Sequence, residues 1–209
     1  MKKREIFVFF AYPCAGKDVH ALRLILFFKK ILEDYIYINM GEKIRKLLKK
    51  ANLTAEIIKD KVENGGLVQD FISESMVGCT LQDKLTKRKR KHIILNGFPR
   101  TLSQAKYLLK IANTYDMKVN VIFIKITQKV ALERVKNRRE KGRTDDSDES
   151  IRMRFKSFRK NKKPLIPFFT KNFNLIRIDG SGTKDEVDLK ILKALGLVSN
   201  QGELFVNNK

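Results

Sequence analysis

Residues 7–21 of this 209-residue chain read FVFFAYPCAGKDVHA, and this stretch decides the class of fold. Its apolar part runs from Ile6 to Phe10 and mixes β-branched with aromatic residues. An uninterrupted apolar run of this kind is typical of a strand that is covered on both faces. A loop over residues 11–16 and a helical pattern over residues 17–30 follow it. The stretch therefore predicts a strand, a tight loop and a helix in a parallel-sheet protein.

The rest of the chain repeats this alternation of short apolar runs and helical patterns. Further strands are predicted at 35–38, 92–95, 121–126 and 175–178. Further helices are predicted at 41–50, 54–64, 68–85, 102–115, 127–138 and 150–160, and Thr183 with Glu186 forms a capping box for a last helix. The alternation predicts an α/β fold of three layers, with a five-stranded parallel sheet between two layers of helices. In such sheets ligands bind at the carboxyl ends of the strands, and the motifs AYPCAGK, NMGE and NGFPR each follow a strand.

The composition limits the kinds of protein that this chain can be. With 43% hydrophobic and 33% charged residues it can bury a core, so it is not a disordered chain. Two cysteines are too few for a disulfide framework or a four-ligand zinc site, and they favour a reducing compartment. No apolar run approaches the roughly 18 residues of a membrane helix, so we expect no membrane partner. The N-terminus resembles a short signal peptide, but Pro13 and the early start of the motif at 7–21 favour a cytoplasmic protein.

The charge is strongly positive, because 45 Lys and Arg residues outnumber 23 Asp and Glu residues and leave a net charge of +22. Such a surplus attracts partners that carry phosphate groups. One interpretation is a nucleic-acid-binding protein, and the other is a lysine-rich solvated surface with some arginines that bind small anions. The sequence has no zinc-finger spacing and no RNA-binding aromatic signature, which favours the second interpretation.

The loop that follows the first strand partly matches the phosphate-binding pattern GxxxxGK[ST]. Here it reads AYPCAGKD, so Gly16 and Lys17 are kept, Ala11 replaces the first glycine and Asp18 stands at the hydroxyl position. The pattern works because backbone N–H groups and a helix N-terminus converge on an anion while the lysine reaches the outer phosphates. Taken alone, the match leaves a plain strand-to-helix turn with a surface lysine equally open.

A set of motifs along the chain resembles the adenylate kinase family, in order and with the spacing of its short-lid members. The motifs are YPCAGKDVHA, INMGEKIR, GGLVQDFI, NGFPRTLSQA, ERVKNRR, GRTDDSDESIRMRF and PLIPFF, and they extend over residues 6–195. The stretch GFPRTLSQA is highly specific. The resemblance implies the fold of the P-loop nucleoside triphosphate hydrolases. It also implies reversible transfer of the γ-phosphoryl group of ATP to AMP, which gives two ADP, with Mg²⁺ as the cofactor of ATP.

The resemblance further implies roles for individual residues. ATP is expected to contact Cys14, Ala15, Gly16, Lys17, Asp18, Val19, Arg134 and Gly182. AMP is expected to contact Met40, Arg45, Gly66, Leu67, Val68, Gly97, Arg100, Gln104, Arg143 and Arg154. The catalytic residues are expected to be Lys17, Arg100, Arg138, Arg143 and Arg154. Phosphoryl transfer of this kind depends on fixed positive charge and exclusion of water, and it needs no covalent nucleophile.

The resemblance also implies a single domain with two mobile parts. The core is expected at 1–38, 69–137 and 147–195, the acceptor-binding segment at 39–68, the short lid at 138–146 and a polar, loosely held tail at 196–209. The lid has no room for a long inserted hairpin and no cysteines for zinc. We expect a monomer whose two mobile parts close over bound nucleotides.

Four substitutions depart from the family pattern. Ala11 and Cys14 replace loop glycines, and each costs roughly 1–2 kcal/mol if the backbone there adopts a positive φ. Val19 replaces the hydroxyl of GKGT, and Asn96 replaces the aspartate of DGFPR, which helps to hold Mg²⁺ through its water shell. We therefore expect no direct protein ligand to Mg²⁺, with phosphates, water and the Asn96 amide in its surroundings, and with the two aspartates at 145 and 146 as nearby candidates.

Other functions remain open at this point. Val19 and Asn96 favour a nucleotide-binding homologue that is catalytically weak or inactive. Met40 stands where the family often has a small hydroxyl residue, which keeps a CMP or UMP kinase open, although Gln104 is of the adenylate type. A basic nucleic-acid-binding protein on the same fold is the least supported hypothesis, and we expect no nucleic-acid partner.

Overall fold

A computed structural model describes residues 4–85, 92–139 and 147–199, with the backbone alone at 137–139. Within these residues the strands are β1 (Glu5–Ala11), β2 (Tyr35–Asn39), β3 (His92–Asn96), β4 (Lys118–Lys125) and β5 (Asn174–Asp179). The helices are α1 (Lys17–Lys30), α2 (Met40–Leu48), α3 (Leu53–Glu63), α4 (Asp70–Lys84), α5 (Leu102–Thr114), α6 (Gln128–Arg139), α7 (Asp148–Asn172) and α8 (Lys184–Ala194).

The strands form one parallel sheet in the order β2-β3-β1-β4-β5. β1 lies at its centre, and the chain builds the sheet on one side of β1 with β2 and β3 before it crosses to β4 and β5. The strand order therefore reverses next to β1, and in open α/β sheets such a switch point is where ligands bind. The predicted five-stranded parallel sheet is confirmed.

The core lies on both faces of the sheet, as the apolar run of β1 predicts. Ile6, Val8 and Phe10 belong to one buried cluster with side chains of α4, α5 and α7. Phe7 and Phe9 belong to the opposite cluster, which includes side chains of α1 and α8. Successive side chains of a strand point to opposite faces, so a strand covered on both sides must be apolar throughout.

Helix α7 is the largest difference from the predicted elements. It extends over 25 residues to Asn172 and contains Pro164 and Pro167, whereas the sequence pattern ended it near residue 160. A proline inside a helix costs about 3 kcal/mol. Packing offsets this cost, because Leu165 and Phe169 are fully buried and the ring centroid of Phe169 lies 5.4 Å from that of Phe10.

Smaller differences concern the boundaries of other elements. β4 begins at Lys118, three residues before the predicted start, because its pairing with β1 begins opposite Glu5. α4 begins at Asp70 rather than at residue 68, since Gln69 is still extended. The predicted capping box of Thr183 and Glu186 is present at the start of α8. Val198 is buried, so the first residues after α8 pack on the protein, while residues 200–209 lie outside the described chain.

Candidate active site

The loop between β1 and α1 has the backbone geometry of an anion-binding turn. α1 begins at Lys17, and the preceding Gly16 has φ 86°, a left-handed conformation that glycine adopts without steric cost. The first N–H groups of a helix have no partner within the helix, and an anion at this end satisfies them. The loop thus offers backbone donors and the Lys17 ammonium at the carboxyl end of the central strand.

The two substituted glycine positions of this loop differ in conformation. Cys14 has φ 62°, so it adopts the left-handed conformation that disfavours side chains. Ala11 is the last residue of β1 and pairs with Ile124 of β4, and its φ is not positive. The expected backbone cost therefore applies at Cys14 and not at Ala11, because the strand extends one residue further than predicted.

Side chains of α1, β2 and β3 form one hydrogen-bonded network around Asp18 and Asn96. Lys17 Nζ lies 3.1 Å from Asp18 Oδ1, on the first turn of α1. Asn96, the last residue of β3, donates from Nδ2 to the same oxygen at 2.6 Å and to Tyr37 Oη of β2 at 3.1 Å. Burial raises the pKa of Tyr37, which remains a neutral phenol at this position. The network ties the phosphate loop to the ends of β2 and β3.

Asn96 is buried at the centre of this network, with 1% of its surface exposed. Its Nδ2 group has two acceptors, but its Oδ1 is one of the buried polar atoms of the described residues that have no hydrogen-bond partner. A buried amide oxygen without a donor is unfavourable, by about 1–3 kcal/mol. The site therefore holds an acceptor that a bound water molecule or cation could satisfy.

The arginine of NGFPR lies on the other side of the network. Arg100 Nε donates to Gly97 O at 3.0 Å, and Gly97 has φ 80°. A side chain at position 97 would be strained and would lie about as close as 3.1 Å to Arg100 Nη2. Burial and then the positive charge of Arg154 lower the pKa of the Arg100 guanidinium, while Asp18 opposes them. Two guanidinium groups that repel each other form a site for an anion.

Gln104 is held by hydrogen bonds at both ends of its side-chain amide. Its Oε1 accepts from the N–H of Arg100 at 2.7 Å, and its Nε2 donates to Asp70 Oδ1 at 2.8 Å. Thr101 Oγ1 donates to the same oxygen of Asp70 at 2.9 Å. An amide nitrogen has two hydrogens and an amide oxygen two lone pairs. Gln104 therefore keeps one further donor and one further acceptor, and Asp70 fixes its orientation.

The remaining acceptor-side positions lie on α2 and after α3. Met40 begins α2 and is buried, and its Cβ would lie 3.5 Å from a side chain at Gly97. Arg45 is exposed one turn further along the same helix. Gly66, Leu67 and Val68 form the extended link from α3 to α4, with Val68 buried. The structure thus brings Met40 next to the NGFPR loop, with Arg45 free to approach a ligand.

On the donor side, Arg134 joins two loops. Its Nη1 donates to Ala15 O of the phosphate loop, and its Nη2 donates to Gly180 O after β5, both at 3.0 Å. Gly182 lies two residues beyond, just before the capping box of α8. Both positions expected near the ATP base therefore lie at the same edge of the sheet as the phosphate loop.

The sequence of this site matches a known protein family. A family model described as adenylate kinase matches residues 9–174. The chain belongs to the adenylate kinase family. This match confirms three predictions: the resemblance to the family, the fold class, and the activity of a phosphotransferase of the nucleoside monophosphate kinase type.

Proteins named adenylate kinase from several bacteria are similar to this chain over most of its length. The protein of Thermus thermophilus is 31% identical over 194 residues, which is 91% of this chain and 96% of the relative. That of Petrotoga mobilis is 27% identical, over 93% of this chain and 99% of the relative. That of Caulobacter vibrioides is 29% identical, over 90% and 95%. The sequence identity is moderate, and the similarity covers nearly the whole length of each chain.

The lid of this adenylate kinase family member lies largely outside the described residues. This applies to Arg143, to the aspartates at 145 and 146, and to the side chain of Arg138, whose backbone belongs to the last turn of α6. Arg154 is described and lies on α7, where its charge acts on Arg100. One of the three expected lid arginines thus lies close enough to Arg100 to lower its pKa.

Two kinds of site are absent from the part of the chain that the structure describes. No group of three or more His, Cys, Asp or Glu side chains is arranged to hold a metal ion there. No described helix is long and apolar enough to cross a membrane.

Sequence reasoning missed two features of this adenylate kinase fold. Asp70, which fixes Gln104, is the second residue after the GGLV segment, so its position in GGLVQDFI was a usable signal. The other feature is a charged cluster behind the phosphate loop, where His20 Nδ1 lies 2.6 Å from Asp188 Oδ1 and Arg23 bonds Asp185 and Asp188. It joins α1 to α8 across more than 160 residues of sequence, and no local pattern indicates such a contact.

Proposed function

We propose that this protein transfers the γ-phosphoryl group of ATP reversibly to AMP, which gives two ADP. The observation that carries the proposal is the direct bond between the two anion-binding loops, in which Asn96 of NGFPR donates to Asp18 of the phosphate loop at 2.6 Å. Two nucleotides bound at these loops present their phosphates to each other. Direct transfer requires this arrangement, since most of the catalytic effect comes from positioning and fixed charge.

On the donor side, we assign the triphosphate to the loop of residues 14–19. Lys17 and the backbone N–H groups at the start of α1 neutralise and orient the β- and γ-phosphates. Arg134 and Gly182 hold the base at the same edge of the sheet. The hydrogen bonds of Arg134 to Ala15 O and Gly180 O support this role, because they fix the guanidinium plane between the two loops.

On the acceptor side, we assign the phosphate of AMP to Arg45, Arg100 and the lid arginines. The charge of Arg154 close to Arg100 supports a dianion at this position. Gln104 reads the base with its remaining donor and acceptor, Met40 lies beside the base, and the segment 66–68 with Gly97 supplies backbone contacts. Arg138, Arg143 and Arg154 converge on the phosphates when the lid closes and exclude water.

Segment 39–68 is one proposed mobile part, and the other, the lid at 138–146, lies largely outside the described residues. Ile58, Val68 and Ile72 form a small buried cluster of their own, which meets one of the main clusters through the partly buried Ile44 and Met76. An element with its own small cluster moves at lower cost than one that shares the main core. We include a monomeric, cytoplasmic protein in the proposal, since two cysteines are too few for a disulfide framework.

The residues present fit a magnesium ion held mainly through water. Asp18 supplies a carboxylate and Asn96 a buried amide oxygen without a partner, and both are of the oxygen type that Mg²⁺ prefers. Bound with ATP, Mg²⁺ supplies neutralisation of the phosphate charge. Among the protein's own residues, Lys17 and the arginines supply the rest.

A coupled assay of purified protein with ATP, AMP and Mg²⁺ tests the proposal through the formation of ADP. Lys17→Ala and Arg100→Ala are each expected to lower kcat by roughly 100-fold or more, as for other preorganised charge-stabilising donors. Lys106→Ala, an exposed change on α5, is the matched control and should leave the rate unchanged. Absence of ADP above background with the wild-type protein contradicts the proposal.

The same assay with CMP, UMP and GMP in place of AMP decides the acceptor. The orientation of Gln104 favours adenine, whereas the buried Met40 is the observation that favours another base. A kcat/KM for CMP or UMP above that for AMP would make the protein a pyrimidine nucleotide kinase. Binding of ATP without turnover of any acceptor would make it an inactive homologue.

A further inference from the structure

The carboxylate next to the NGFPR loop of this chain belongs to α1, whereas the family pattern has it at the end of β3. That pattern has an aspartate before GFPR, where this chain has Asn96, and an uncharged residue after the loop lysine, where this chain has Asp18. The two side chains are in contact, since Asn96 Nδ2 donates to Asp18 Oδ1 at 2.6 Å. Position 96 at the end of β3 thus lacks the negative charge of the family pattern, and a carboxylate on the first turn of α1 lies within hydrogen-bond distance of it.

A second, independent observation concerns the Asn96 side chain. Asn96 is almost fully buried, with 1% of its surface exposed. Its Nδ2 group faces Asp18, and its Oδ1 has no hydrogen-bond partner among the described residues. A carboxylate only accepts hydrogen bonds, so the amide must turn its NH₂ group toward Asp18. The carboxylate thus fixes the amide orientation and leaves the oxygen to a donor or cation that comes with the ligand.

Charge balance points in the same direction. A carboxylate beside a phosphate loop repels a bound triphosphate unless a positive charge lies close to both. Lys17 is in contact with Asp18 at 3.1 Å, and the same lysine is needed by the phosphates. A divalent cation bound with the nucleotide would attract both the Asp18 carboxylate and the phosphates, which would remove the repulsion between them. Lys17 would then be available to the γ-phosphate.

We propose that Asp18, oriented by Asn96, has replaced the missing aspartate at position 96 as the carboxylate that holds the hydrated Mg²⁺ of ATP. The inference rests on the proposed function for the identity of the nucleotide, but it concerns binding and does not require turnover. Asp18 is in this proposal a ligand-positioning residue of the metal–nucleotide complex, and Asn96 positions Asp18.

Calorimetric titration with ATP, in Mg²⁺ and in EDTA, tests the proposal without any measure of activity. The wild-type protein is expected to bind ATP more tightly in Mg²⁺. Asp18→Asn, which removes the charge and keeps the shape, is expected to lower the ratio of the two affinities by roughly 10- to 100-fold. The exchange Asp18→Asn with Asn96→Asp returns the charge to β3 and is expected to restore the ratio.

The single change Asn96→Asp gives a second measurement that needs no nucleotide. It places two carboxylates in contact, so the Tm of the free protein is expected to fall in EDTA and to recover with Mg²⁺. Glu56→Gln, which removes an exposed carboxylate of α3, is the control for net charge in the titration of Asp18→Asn.

An unchanged Mg²⁺/EDTA ratio in Asp18→Asn overturns the proposal. If the ATP affinity of this variant also rises equally with and without Mg²⁺, Asp18 only competes with phosphates for Lys17. Failure of the proposed function gives a different result. The wild-type protein would then form no ADP, but Asp18→Asn would still lower the Mg²⁺/EDTA ratio of ATP affinities. That protein would have the metal site without the enzyme activity.

Discussion

At the scale of single residues, the phosphate loop contains one conformation that its sequence does not favour. Cys14 occupies φ 62°, and its side chain touches the small cluster of Ala131, Val135, Ile151 and Phe155. Its packing there offsets part of the backbone cost. The first glycine position costs nothing, because Ala11 is a strand residue.

Cys14→Gly is therefore expected to stabilise the protein by about 1 kcal/mol, since glycine adopts the left-handed conformation freely. The free energy of unfolding from urea denaturation measures the change. Cys14→Ala removes the sulfur but keeps the Cβ that causes the cost, so it should be no more stable than the wild-type protein. A Cys14→Gly protein less stable than Cys14→Ala would show that the side-chain contacts of Cys14 outweigh its backbone cost.

At the scale of helices and strands, the sequence predicted the elements that local patterns determine. The apolar runs of the strands and the capping box of α8 follow from local rules, and so do the phosphate loop and NGFPR at the strand ends. α7 was cut short because its prolines are local signals, while its burial of Phe169 is a tertiary effect. The Asp18–Asn96 bond and the Asp70–Gln104 bond join residues 78 and 34 positions apart, so only the folded chain reveals them.

The bond between α4 and α5 at Asp70 gives a prediction at this scale. Asp70→Asn keeps an acceptor oxygen but removes its negative charge, which weakens the hydrogen bonds from Thr101 and Gln104 and loosens the orientation of Gln104. A rise in KM for AMP is expected, with a smaller effect on KM for ATP, and initial-rate kinetics measure both. The weaker hydrogen bonds are expected to lower the free energy of unfolding by about 1 kcal/mol.

Glu74→Gln is the matched control for Asp70→Asn. Glu74 accepts from Ser103 across the same pair of helices, but that contact is exposed and contributes little. Equal increases of both KM values in Asp70→Asn would contradict a role in reading the acceptor base, since a general loosening of the site has that effect.

At the scale of the whole molecule, the net charge of +22 is opposite in sign to that of the nucleotide substrates, which are all polyanions. The chain spreads lysines over exposed helix faces, as with Lys46, Lys59 and Lys61 within the acceptor-binding segment, so most of the charge acts at long range. Such a field raises the rate of encounter with anions and also destabilises the folded state by repulsion. Both effects depend on ionic strength, whereas the short contacts of Lys17 and Arg100 are screened far less.

An increase of ionic strength from about 10 mM to about 150 mM shortens the screening length from roughly 30 Å to roughly 8 Å. We expect kcat/KM for ATP to fall by roughly tenfold over this range, and Tm to rise as repulsion between surface lysines weakens. kcat should stay nearly constant, because the charges that act on the transferred phosphoryl group lie within the closed site. A parallel fall of kcat would place the salt effect inside the site. Micromolar binding of RNA that persists at 150 mM would instead assign the surplus charge to a nucleic acid, because bulk attraction alone does not survive that screening.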